Sequence, residues 1–232
     1  GGVGIALPQD SLAAATNPAG MAFVGNRLDA GLDWFRPIRD TEIRGNMFPG
    51  ADGKYNANDR KNFFIPEFGY NRMIRPDLSL GVSVFGNGGM NTDYKKPIPL
   101  FGTSDVKMDY SQLFISPTLA WKLTENHSIG ASLNIAYHRF KTEGLENFAF
   151  PAPFNASSSP GNVTGRGYDS SWGWGVRLGW TGRVSDSVTL GATYQTKTNM
   201  GKLDKYKGLF AEQGNMDVPA NFGAGIAIKA TP

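Results

Sequence analysis

The sequence predicts an all-β fold, a transmembrane antiparallel β-barrel, and three observations predict it. Apolar residues alternate with small or polar ones in eight segments, aromatic residues gather at the ends of those segments, and the connections alternate between short and long. Composition agrees: among 232 residues Gly (30), Phe (15), Tyr (8) and Trp (5) are plentiful, as many short strands and turns require. No run approaches the roughly 18 apolar residues of a membrane helix, which excludes a helical span only, because barrel strands alternate and escape hydropathy averages. Cys is absent, which removes disulfides, thiolate metal sites and a Cys nucleophile. The net charge of +3 is mild and no Lys/Arg cluster tracks a phosphate backbone, so nucleic acid is excluded as a partner. The chain opens at Gly1 without Met or a signal peptide, which points to a processed or trimmed start.

Taken in order, one face of the segments reads Leu28, Ala30, Leu32, Trp34, then Phe64, Pro66, Phe68, Tyr70, then Leu78, Leu80, Val82, Val84. It continues through Leu113, Ile115, Pro117, Leu119, Trp121 and Ile129, Ala131, Leu133, Ile135, Tyr137. The last three segments give Trp174 to Trp180, Val188 to Tyr194 and Phe222 to Ile228. The opposite face is small or polar, with Asp29, Gly69, Ser83, Ser116, Asn134, Gly175 and Arg177 among its members. A soluble two-sheet sandwich also alternates. It does not need aromatic girdles, nor an apolar face free of charge over eight strands, where a mid-bilayer charge costs about 2–4 kcal/mol. A phrase of polar turn, small hydroxyl, aliphatic and Gly recurs at Asp77–Gly81, Asn126–Gly130 and Ser187–Gly191, and each instance reads as a tight hairpin. Gly69, Gly81, Gly173, Gly175, Gly179 and Gly191 line the polar face and leave room for a second chain segment.

Ahead of the first strand, Gly1 to Met21 contains Asn17-Pro18-Ala19-Gly20. Asn before Pro suits a turn. This run resembles the hatch of the FadL family of outer-membrane transporters of hydrophobic compounds. Phe85 to Tyr94, Ser116 to Trp121 and Val218 to Gly223 resemble the same family in the same order. The resemblance implies a fourteen-stranded barrel plugged by an N-terminal hatch. Residues 1–26 are then the hatch and 27–232 the first eight strands, with the C-terminal strands absent beyond a turn opening at Thr231-Pro232. It further implies passive, cofactor-free uptake of long-chain fatty acids or aromatic hydrocarbons by a monomer among outer-membrane lipid and lipopolysaccharide.

Pro cannot donate to a strand ladder. Pro66 in the second strand and Pro117 in the fourth flank a third strand that runs into Gly86, Asn87, Gly88 and Gly89. Counted from the short turns, both lie roughly 30 Å of strand path up the wall. A gap in hydrogen bonding around the third strand is therefore expected, against the plainer reading of a bulge near the rim. The resemblance implies sideways release of ligand there. Two later loops carry apolar residues with no evident core: Leu145, Phe148, Phe150 and Phe154 in one, and Leu203, Tyr206, Leu209 and Phe210 in the other. In the family such loops capture ligand; packing on each other as a lid is the alternative. Lys202, Lys205 and Lys207 suit a carboxylate or a lipopolysaccharide phosphate, or are simply solvated.

Inside, Phe35, Phe85 and Phe114 are expected to project inward. Arg177 is the clearest inward cation, either for a ligand head group or as a structural partner of Asp29, Asp33 or Glu67. A lipase would need a Ser–His pair with an orienting group. Only His127 and the inward-facing His138 exist, neither in a recognisable motif, so no enzyme is expected. A general or structural barrel of porin or adhesin type, without a hydrophobic substrate, is the competing function.

Overall fold

The computed structural model describes residues 3–150 and 157–230. Its strands are β1 (Arg27–Phe35), β2 (Asp40–Ile43), β3 (Gly53–Asn56), β4 (Phe63–Arg75), β5 (Leu78–Pro97), β6 (Asp105–Lys122), β7 (His127–Glu143), β8 (Asp169–Ser185), β9 (Val188–Gln195), β10 (Asn199–Met200) and β11 (Asn221–Ile228). Eight of them form one curled antiparallel sheet in the order β1-β4-β5-β6-β7-β8-β9-β11. The eight expected segments are these eight strands. The β2–β3 hairpin inside the first long connection, and the short β10 paired to β8, were not expected. β5 runs for 20 residues and continues as strand beyond the apolar stretch, so only 98–104 link it to β6 and the expected long loop is missing there.

Period-2 alternation decides which way each side chain points. Leu32, Trp34, Phe64, Leu80, Trp121, Leu133, Leu178 and Ile228 are exposed on the outer face, as are Trp174 (60%) and Phe222 (87%). An apolar surface this broad is not a water-facing one. Along β7 it runs from Ile129 to Tyr137, and along β6 from Leu113 to Trp121, the length of a tilted spanning strand of about 9–11 residues. Charge begins beyond it, with Arg139 and Lys141 on β7 and Asp109 and Lys107 on β6. Aromatic groups mark both limits. At the short-turn end Trp121 Nε1 donates to Asp77 at 2.9 Å and Trp180 stacks on His127 at 5.9 Å; at the other, Tyr137 and Trp172 lie 4.9 Å apart. Tyr and Trp, apolar with one polar atom, suit that boundary.

The inner face is covered by the N-terminal segment, which makes three 3-10 turns (Val3–Ile5, Ala13–Ala15, Pro18–Ala22). Ala14, Ala19 and Met21 are fully buried against the sheet. The wall admits the segment because glycines face it. A methyl on Gly179 would collide with Asn17 and Pro18, on Gly130 with Pro18 and Ala19, on Gly69 with Ser11, on Gly191 with Ile5. Gly173 and Gly175 differ from expectation: they accommodate Lys197 to Met200, the chain leaving β9, and not the N-terminal segment.

Candidate functional site

Strand register arranges the inner face into rows. The row nearest the middle is apolar: Phe85 pairs with Phe114, Phe114 with Ala136, Ala136 with Gly173 and Gly173 with Met200. These side chains form one buried cluster, with the Phe85 and Phe114 rings 5.8 Å apart and Ala15 and Val218 packed on it. The row beyond it is polar: Gly88, Gln112, His138 and Ser171 are paired in sequence across β5, β6, β7 and β8. Asn87 donates to Gln112 Oε1 at 2.7 Å, and Gln112 Nε2 donates to the Tyr110 hydroxyl at 2.9 Å. A third, apolar layer then follows, where Phe140, Leu203 and Tyr206 are buried with Met108, Tyr110, Leu209 and Phe210 against them.

Below the apolar row the N-terminal segment is stitched to the wall. Asn17 precedes Pro18 in an extended conformation and caps the Pro18–Ala22 turn, its Oδ1 accepting from the Ala19 amide at 3.1 Å. Its Nδ2 reaches the Ile5 carbonyl (2.7 Å), the Trp180 carbonyl (2.9 Å) and Thr181 Oγ1 (3.0 Å). Gly20 is required because a Cβ there would strike Pro8 and Ala13. Ser128 donates to the Ala19 carbonyl, Asn71 to those of Met21 and Gly25, and Ser83 to that of Ser11. Arg177 does the same work from β8. Its guanidinium donates to Gln195 Oε1 and to the carbonyls of Ala15 and Thr16, not to Asp29, Asp33 or Glu67 as expected. Asp29 is held instead by Arg27 and Ser11. Arg177 is thus committed to the segment, and its acceptors there are backbone carbonyls that no side-chain pattern reveals.

The wall is incomplete between β4 and β5. Their ladder runs from Arg75↔Leu78 to Phe68↔Val84 and no pair follows, although β4 extends back to Phe63 and β5 on to Pro97. Pro66 lies just past the last pair, bonded through its other side to β1 opposite Leu32. β5 keeps its pairing to β6, slipping register between Gly86 and Gly88 so that Asn87 is bulged out. The Ile65 methyl leans into the breach: a Cβ on Gly86 would lie 2.9 Å from it. Gly88 and Gly89 have only ordinary contacts beside them. Pro117 corrects the expectation of two flanking breaks at one height. It pairs with Val82 on β5, and the ladder it interrupts is the one to β7, which jumps from Ile115↔Ile135 to Thr118↔Ser132. The gap has one side, at β4.

Residues 1–229 match the family of "Outer membrane protein transport protein (OMPP1/FadL/TodX)". The chain belongs to this family. Similar solved structures include the toluene transporter TodX of Pseudomonas putida, at 20% identity and a TM-score of 0.72, with all of this chain and 65% of that one covered. A FadL homologue of Pseudomonas aeruginosa matches at 16% and 0.63 (99% and 63% covered), and the Ralstonia pickettii toluene transporter TbuX at 18% and 0.65 (95% and 64%). The chain therefore spans about two thirds of the length of these relatives. No curated protein sequence matches it. Family and fold together place this OMPP1/FadL/TodX member in the outer membrane as a β-barrel protein; proteins of the family are transport channels.

In this family member the other expected residues divide. Phe85 and Phe114 meet inside, but Phe35 is 54% exposed and lies against Phe63, 6.4 Å away, outside their cluster. Leu203, Tyr206, Leu209 and Phe210 gather on Phe140, a core that was not evident in the sequence, and Leu203 and Tyr206 are fully buried in it. Leu145 instead joins Tyr55, Ile98 and Val106 beside the β2–β3 hairpin, where Phe148 lies 5.8 Å from Phe101. The two loops thus build two apolar clusters and not one groove. Phe150 is exposed, and Phe154 lies outside the described residues, as do Gly1, Gly2 and the turn expected at Thr231-Pro232. Lys205 is occupied by the Tyr168 carbonyl. Sequence reasoning missed Ile65 at the gap and the polar row of Gln112 and His138. The alternation marks every such residue as inward, but nothing in it says which inward residues share a height.

Proposed function

We propose that this protein is an outer-membrane channel for passive uptake of hydrophobic small molecules, aromatic hydrocarbons or long-chain fatty acids, with residues 3–26 acting as its hatch. Ligand enters from the loop end over the cluster of Phe140, Leu203, Tyr206, Leu209 and Phe210, descends to the Phe85–Phe114 row, and leaves sideways into the lipid between β4 and β5. The observation that carries this reading is the ladder that stops at Phe68↔Val84 while both strands continue. Below that height Asn17, Arg177 and Ser128 hold the segment across the inside, so the downward route is closed by backbone-level hydrogen bonds. An apolar molecule gains by passing straight into hydrocarbon, at about 25 cal/mol per Å² of surface kept from water. That TodX and TbuX are toluene transporters agrees with the reading.

The chain has no Cys, so a single tether can be placed across the gap. Ile65 and Gly86 are close enough for the ~3.5–4.5 Å Cβ separation that a disulfide spans. Toluene uptake into proteoliposomes by Ile65→Cys/Gly86→Cys should fall steeply when the pair is oxidised and return on reduction. Equal uptake in both redox states would remove the lateral route.

A further inference from the structure

His138 is fully buried (0% exposed) on the inner face of β7, one row beyond the Phe85–Phe114 cluster, and its Nδ1 has no hydrogen-bond partner. The other ring nitrogen decides what kind of atom Nδ1 is. Ser171 Oγ lies 2.7 Å from His138 Nε2 and also 2.7 Å from the Gly201 carbonyl. A carbonyl can only accept, so the single Ser171 proton goes to Gly201. His138 must then donate its Nε2–H to Ser171. Among the described residues no carboxylate pairs with the ring. In the neutral imidazole that follows, Nδ1 is a bare lone pair. The same network separates this pair from a catalytic dyad: the hydroxyl proton points away from the ring, and no acid orients it.

A buried acceptor without a donor is costly, and in a native protein such an atom calls for a partner. The neighbours narrow what that is. Tyr110 sets its ring edge-on to His138 at 5.8 Å, and Phe140 and the Phe85–Phe114 row lie on the adjacent heights. On the β5 side of Gln112 the row opens at Gly88, where an added methyl would meet only Gln112 Oε1, at 3.8 Å. An apolar ligand that carries one hydroxyl donor fits: aromatic surface for its body, a lone pair for its O–H. A plain hydrocarbon offers nothing to Nδ1, and a carboxylate offers another acceptor.

We propose that His138 Nδ1, held in its accepting tautomer by Ser171, is a recognition site for the hydroxyl group of a phenol-type ligand. This rests on the reading of the inner face as the ligand path. The probes are toluene and p-cresol, the same ring with and without the hydroxyl, applied to the intact protein in lipid. With only two histidines in the sequence, ¹⁵N-histidine NMR resolves both rings. p-Cresol should shift the unprotonated Nδ1 resonance of His138 upfield and toluene should not. His138→Phe should weaken p-cresol binding about tenfold, the weight of one hydrogen bond, and leave toluene unchanged. An Nδ1 resonance indifferent to p-cresol, or an equal loss of both probes in the variant, overturns the site while toluene uptake stands. Failure of the wild type to take up either toluene or a long-chain fatty acid overturns the channel reading, and the site with it.

Discussion

Asn17 shows how one side chain can organise a segment that has almost no regular structure of its own. It closes the Pro18–Ala22 turn with its oxygen and spends its amide on Ile5, Trp180 and Thr181, all in a fully buried setting. Asn17→Ala leaves those acceptors short of a donor and should destabilise the folded protein by about 2–3 kcal/mol. The loss should concentrate in the N-terminal segment, read as faster proteolysis of residues 3–22 than of the strands. At this scale sequence reasoning recognised Asn17 before Pro18 as a turn, because X-Pro restricts the backbone by itself. It misjudged Arg177, for which carboxylates on the same face looked like natural partners. The guanidinium chose carbonyls of Ala15 and Thr16, and every residue has a carbonyl.

Among the elements, the eight spanning strands were legible because a period of two survives any curvature of the sheet. β2, β3 and β10 were not: four-residue and two-residue strands are too short to show a period. Heights along the wall were not legible either. Pro117 is level with Val82 and through it with Tyr70, so Pro66 and Pro117, each counted from its own turn, look level in sequence and stand about four residues, ~13 Å, apart in the sheet. β10 owes its place to Asp217, which accepts from the Met200 amide at 2.7 Å and pairs with Lys197 at 2.5 Å. Burial alone would raise this carboxyl, but Lys197, Met200 and Asn215 outweigh it and hold it below the usual carboxylate range. A carboxyl lowered in the native state stabilises fully above its unfolded value near 4, and the contribution is lost as pH falls through the native value. Hydrogen-exchange protection of the Met200 amide, corrected for intrinsic rate, should therefore hold from pH 8 to 5 and drop only below about pH 4. Asp217→Asn should show weak protection throughout.

On the scale of the whole molecule the outer face is the clearest case of physics written directly into sequence. Its apolar rows were predicted residue by residue, since lipid tolerates no alternative, and charge starts only past the aromatic limits. Leu133→Arg, halfway along the apolar stretch of β7, should cost about 2–4 kcal/mol in denaturant unfolding from a bilayer. Lys141→Leu on the same strand and face should change little, because Lys141 already stands outside that stretch. Equal penalties at the two positions would mean that the outer face does not face lipid.

The stitching of the N-terminal segment also has a history built into it. Its partners are Asp29, close by in the chain, but also Ser128 and Trp180, up to 163 residues away. Closing such distances is slow, and the segment cannot settle before β7 and β8 have taken their places. The segment ahead of these strands therefore comes to rest only after them, and until it does the inner face of the sheet stands uncovered.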